Sequence, residues 1–154
     1  MPIARGTPTG TKLDDGFSIK IAFTADPDVD FWEKTVTPPG IDGGDAIEQT
    51  TMHNTAWRTF AARLLKTLTD ASITAAYDPL VYDQIVALIN VEGLITVHFP
   101  DTSTLDFYGF LKSFAPSDHS EGSQPEADLT IVPTNWNPFA GVEAGPTFVN
   151  NSGT

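Results

Sequence analysis

The chain has 154 residues, room for one domain with a single core and too few for two. Eight Lys plus Arg against twenty Asp plus Glu give a formal net charge of -12 and a pI near 4.3. The average surface therefore repels phosphate, which argues against a groove that grips nucleic acid, since such binding needs clustered cations. The absence of cysteine excludes disulfides and thiolate metal sites.

Residues 1–15 are rich in Thr, Gly and Pro, with nothing to bury. They read as a flexible N-terminal arm, neither a signal peptide nor a membrane span, in a protein made in a cytoplasm and soluble until assembled. Order is expected over 16–135, followed by an extended C-terminal arm over 136–154. Phe17, Ile19, Ile21 and Phe23 alternate with Ser18, Lys20, Ala22 and Thr24, the period of a strand with one face on a core. Phe31 to Thr37 and Ala46 to Met52 are strand candidates separated by Pro38-Pro39-Gly40 and the loop Ile41-Asp42-Gly43-Gly44-Asp45, which together predict a long hairpin with that loop at its tip. Residues 54–69 fit either a helical stripe, through Trp57, Phe60, Ala61, Leu64, Leu65 and Leu68, or extended structure, through their Thr content.

Ile73 to Tyr77 reads as a short strand leading into a helix over about 79–92. Asp78 suits its N-cap, Pro79 its first position and Gly93 its stop. Val81, Ile85, Leu88 and Ile89 form its apolar stripe. Ile95, Val97 and Phe99 then alternate as a strand, and Pro100 to Ser103 turns into an apolar strand over 105–114. There Leu105, Phe107 and Leu111 are expected on one face and Tyr108, Phe110 and Phe114 on the other. Ala127 to Thr134 is the last strand candidate.

Chemical motifs are weak. Asp118-His119-Ser120 holds triad residue types, but three consecutive side chains cannot place a base between nucleophile and carboxylate. Asp26, Asp28 and Asp30 open like a calcium loop, yet Phe31 stands where Gly is needed and Thr37 where the bidentate Glu belongs. The histidines at 53, 98 and 119 lack the spacing of zinc ligands. Neither a metal nor a cofactor is expected. Asn150-Asn151-Ser152 matches a glycosylation sequon that carries little weight without a secretory signal.

Arg58-Thr59-Phe60 with Leu68-Thr69-Asp70-Ala71-Ser72, Ala76-Tyr77-Asp78-Pro79, the run Ile95 to Thr104, Phe107-Tyr108-Gly109-Phe110-Leu111 and the run Leu129 to Asn135 follow one another in an order that resembles the major tail tube proteins of long-tailed, non-contractile bacteriophages. The resemblance spans about residues 17–135. Ala71 and Thr102 depart from it, standing in turns where relatives often carry Gly. It implies a mainly β (α+β) subunit, a β-sandwich or barrel-like tail tube fold with one flanking helix and long hairpins. It also implies six-subunit rings stacked into a tube, two hairpins of each subunit lining the bore through which the genome leaves, and partners among tape measure, tail tip and tail terminator proteins in the virion.

Within that frame Glu33, Glu48, Glu126 and Asp128 are the lumen-facing acidic candidates, since acids facing a phosphate backbone keep a conduit from holding DNA in transit. Residues Ile41, Asp42, Gly43, Gly44 and Asp45 are the inter-ring loop candidates. Phe107, Tyr108, Phe110, Phe114, Phe139 and Phe148 are the inter-subunit contact candidates. Two other readings stand beside this one: a monomeric β-sandwich binding or decoration module with Trp32, Trp57 and Trp136 as an aromatic platform, and a tail terminator or adaptor. A hydrolase would rest on the Asp118 to Ser120 and Asp26 to Asp30 motifs alone.

Overall fold

The computed structural model describes residues 19–26, 31–77 and 79–150. The N-terminal arm, the N-cap at Asp78 and the second and third acids of the Asp26-Asp28-Asp30 motif lie outside the described residues. The strands are β1 (Lys20–Phe23), β2 (Trp32–Thr37), β3 (Ile41–Asp42), β4 (Ile47–Glu48), β5 (Phe60–Ala61), β6 (Thr67–Leu68) and β7 (Ala71–Ala76). After one 3-10 turn at Pro79–Val81 and helix α1 (Tyr82–Leu88) come β8 (Gly93–His98), β9 (Thr104–Pro116), β10 (Glu126–Pro133), β11 (Trp136–Asn137), β12 (Val142–Glu143) and β13 (Thr147–Val149). The chain is mainly β with one short helix, as the fold expectation had it.

A seven-stranded antiparallel sheet in the order β1-β8-β9-β10-β7-β2, with β13 added on β9, forms the body. The alternation in sequence decides which side is buried: Ile21, Phe23, Ile95, Val97, Phe107, Ile73, Leu129 and Ile131 all face one core. Ile85 and Leu88 cover that core from α1, so the helix lies on the buried side and the opposite face is left to other contacts.

Two bulges adjust the sheet. In β9 the pairing shifts between Thr130 opposite Ser113 and Ile131 opposite Leu111, leaving Lys112 as an extra residue. The extra residue reverses the alternation, so Phe114 faces the core beside Leu111 rather than joining Tyr108 and Phe110. It packs against the core, with Tyr77 stacked on it at 6.2 Å and Tyr82 edge-on at 5.9 Å. The second bulge shifts register between Glu33 and Thr35 on the edge strand β2. Glu33 pairs with buried Ala75 and so leans toward the core side. Its Oε1 accepts the Ile21 backbone N–H at 3.3 Å, which draws the two edge strands of the sheet together. A carboxylate here takes the place of a ladder bond, curling the sheet toward a barrel.

The helix is shorter than expected and ends elsewhere. Asn90 adopts φ 64°, the left-handed conformation that stops a helix and that Asn tolerates, and its N–H donates to the Leu111 carbonyl at 3.0 Å. Gly93 is not the stop; it opens β8, directly opposite Gly109.

Candidate functional site

Between β2 and β7 the chain leaves the body for residues 38–70, as two limbs joined by short ladders. Ile41 and Asp42 pair with Leu68 and Thr67, and Ile47 and Glu48 pair with Ala61 and Phe60. The Thr69 N–H donates to the Gly40 carbonyl at 2.8 Å, the Gln49 N–H to Thr59 at 2.8 Å, and Arg63 Nε–H to the Asp45 carbonyl at 2.7 Å. Asn54 closes the tip: its Oδ1 accepts the Thr51 N–H at 2.9 Å and its Nδ2 donates to the Trp57 carbonyl at 2.8 Å. The long hairpin is present with different partners from those expected. Residues 41–45 lie midway along it, where Gly44 at φ 79° lets the limb bend beside Arg63, and the tip is at 51–54. Residues 54–69 form no helix.

Only the base of this arm is anchored, by buried Leu68 and Pro39. Beyond it Leu64 is 95% exposed, Trp57 83% and Leu65 81%, and Ile41, Phe60 and Met52 are exposed as well. So many large apolar groups on one projecting element are what a buried contact with another molecule requires.

The sheet face turned away from the core is the second surface. Glu126 and Asp128 lie on it with Thr74, Thr130, Tyr108 and Phe110, between the buried Ala127, Leu129 and Ile131. The Thr74 hydroxyl donates to Asp128 Oδ1 at 3.0 Å and the Thr96 hydroxyl to Asp106 Oδ1 at 2.7 Å, so cross-strand hydroxyls hold both carboxylates against the sheet. Glu126 is ion-paired with Lys34 at 2.7 Å. The sequence-derived acids are therefore not one group. Glu126 and Asp128 share this face, Glu33 leans inward at the seam, and Glu48 sits on the arm 3.7 Å from the Arg58 guanidinium. Asp106 belongs to the face and was missed, although its position between Leu105 and Phe107 already assigns it by alternation.

The aromatic candidates also divide. Phe107, 1% exposed, is core of its own subunit and offers nothing to a neighbour. Phe114 packs inward as described, and Tyr108 and Phe110 lie half-buried on the outer face. Phe139 is exposed in the turn of the β11–β12 hairpin, and Phe148 on β13 is exposed beside Phe99 at 6.2 Å. The three tryptophans form no common platform. Trp32 is level with Ala76 and Glu126 at one end of the sheet, Trp136 follows the opposite end of β10 about 24 Å of strand away, and Trp57 is on the arm.

In the Asp118-His119-Ser120 loop, His119 Nδ1–H donates to the Ser117 carbonyl at 3.1 Å and its ring meets Tyr77 edge-on at 5.4 Å. That places the imidazole as a loop anchor. Among the described residues no three His, Asp or Glu side chains are grouped as metal ligands, and no helix is long and apolar enough to cross a membrane.

No family model and no curated protein matches the chain. Solved structures do. A chain of the virion of a native gene transfer agent particle shares 10% identity at TM-score 0.64, covering 90% of this chain and 100% of that one. A chain of the anti-feeding prophage baseplate, 6-fold symmetrised, shares 9% at TM-score 0.62, covering 94% and 97%. A chain of the tail of an empty gene transfer agent particle, computed with C6 symmetry, shares 11% at TM-score 0.62, covering 90% and 100%. The fold of this chain is that of these particle components over nearly its whole length.

Proposed function

We propose that the protein is a structural subunit of a phage-type tail, six copies closing into a ring and rings stacking into a tube that conducts the genome. The observation that carries the reading is the end-to-end likeness to chains of tail and baseplate particles, two of them described with six-fold or C6 symmetry. The surfaces support it: the apolar groups lie on a projecting arm, a hairpin turn and a helix face, where neighbours in an assembly would cover them. The face bearing Asp106, Glu126 and Asp128 suits the bore, because carboxylates that engage the cross-strand Thr hydroxyls and Lys34 offer a phosphate backbone little attraction. The protein acts by shape and contact, with no catalytic step, and its partners are further copies of itself and the other tail proteins.

Sedimentation velocity over a concentration series tests the ring: a species near 100 kDa, about six times the 16.6 kDa chain, is expected above a threshold concentration. A monomer at every concentration, with and without a tail-tip nucleus, would defeat the reading. For the bore, Glu126→Lys with Asp128→Lys should slow DNA ejection from assembled tails, and unchanged kinetics would remove these residues from the lumen. The likeness to a baseplate chain supports one alternative within the same class, a single ring that adapts or terminates the tube.

A further inference from the structure

The returning side of the arm has a charge pattern unlike the rest of the chain. From residue 49 to residue 69 there is no Asp or Glu, while Arg58, Arg63 and Lys66 supply three of the eight cations of a chain with net charge -12. These cations sit among exposed Phe60, Leu64 and Leu65 on the limb that returns from the tip to the body, with Arg58 also 3.7 Å from Glu48 and Arg63 Nε–H donating to the Asp45 carbonyl across the arm. The complementary surface is the outer side of the helical segment. Residues 79–98 hold no Lys or Arg, carry exposed Asp83 and Glu92, and expose Leu80, Val86 and Val91.

We propose that the return limb, residues 58–66, docks on the outer side of the helix of a second copy of this chain. The arm's four short strands pair only with one another. Its ladders at Ile41–Leu68 and Ile47–Ala61 and the buried anchor Leu68 hold it extended from the body, with Leu64 nearly free of its own subunit. Bringing the two surfaces together covers apolar groups on both sides and sets cations opposite carboxylates, which fixes the register of the contact. The inference rests on the self-assembly reading and names the surface that the arm engages.

The absence of cysteine makes the test direct. Protein carrying Leu64→Cys is mixed with protein carrying Val86→Cys, assembled and oxidised, with Thr130→Cys on the outer sheet face as the comparison. A disulfide between copies carrying the substitutions at 64 and 86, and none to position 130, is the expected result. In parallel, Arg58→Glu with Lys66→Glu should raise the concentration for half-assembly about tenfold, and adding Asp83→Lys with Glu92→Lys to the same chain should reverse most of that loss. Assembled particles with no 64–86 link, or with the link to position 130 instead, overturn this docking while leaving the tube intact. Failure to assemble in any form overturns both readings together.

Discussion

Gly109 and Gly93 face each other across β8 and β9, yet a methyl group on each should have opposite consequences. A Cβ on Gly109 would stand 2.6 Å from the Val132 carbonyl oxygen and 3.2 Å from Pro133 Cα, both backbone atoms of the adjoining strand. Ordinary contact would require that strand to retreat by nearly an ångström, within the ladder that also places Glu126 and Asp128. Overpacking of this kind costs about 1–3 kcal/mol, against about 0.4–1 kcal/mol gained by restricting the unfolded chain. Gly109→Ala should thus destabilise by about 1–2 kcal/mol and lower Tm by roughly 2–8 °C, at about 2–4 °C per kcal/mol for a chain this long. A Cβ on Gly93 would meet Ala25 alone, at 3.6 Å from its Cβ and 3.9 Å from its N, both ordinary contacts, so Gly93→Ala should be neutral or stabilising by up to about 1 kcal/mol. Calorimetry of the unassembled protein reads both. Equal Tm values for the two variants would refute the close approach of β9 and β10 at Pro133.

Glu33→Ala removes the acceptor at the seam and should destabilise by about 1–3 kcal/mol, with faster hydrogen exchange at the Ile21 amide; unchanged protection there would contradict the seam. Thr102 sits at φ 70°, a conformation costly for a β-branched residue, so Thr102→Gly should stabilise by about 1 kcal/mol in chemical denaturation, and a destabilised variant would count against that turn. The carboxyl of Asp101 is held below its ordinary value by the Ser103 hydroxyl and then by the Ser103 N–H, which donates to Oδ1 at 3.0 Å. A depressed carboxyl stabilises the folded form above its unfolded pKa of about 3.9 and loses that contribution as pH falls through the lower folded value. Amide chemical shifts of residues 101–103 should therefore titrate below pH 4, and Asp101→Asn should abolish the transition.

What the sequence reveals and what it hides follow from the range of the interactions. The strands of the body were legible because alternation is a local signal: Ile21 and Phe23, Ile95 and Val97, and Leu129 and Ile131 each declare their buried face. Phe114 was misplaced because a bulge is a mismatch between two strands, and nothing in the β9 sequence announces the extra residue at Lys112. Residues 54–69 could not be decided because their large apolar groups other than Leu68 are exposed in the subunit, so neither helical nor strand periodicity governed where they point. The helix stop went to Asn90 rather than Gly93 because the Leu111 carbonyl, distant in sequence, receives the Asn90 N–H. Of the acids, Asp106 could have been found by counting from Phe107, whereas the inward lean of Glu33 depends on the bulge in β2 and the approach of β1. The resemblance noted in the motif order fits the likeness to tail and baseplate chains, which is a likeness of fold.

Electron microscopy of the purified protein across a concentration series would show whether this subunit repeats around a six-fold axis. Six-fold rings, passing into stacked tubes as concentration rises, are the predicted result. Single particles or assemblies of another symmetry at all concentrations, including in the presence of a tail-tip nucleus, would contradict it.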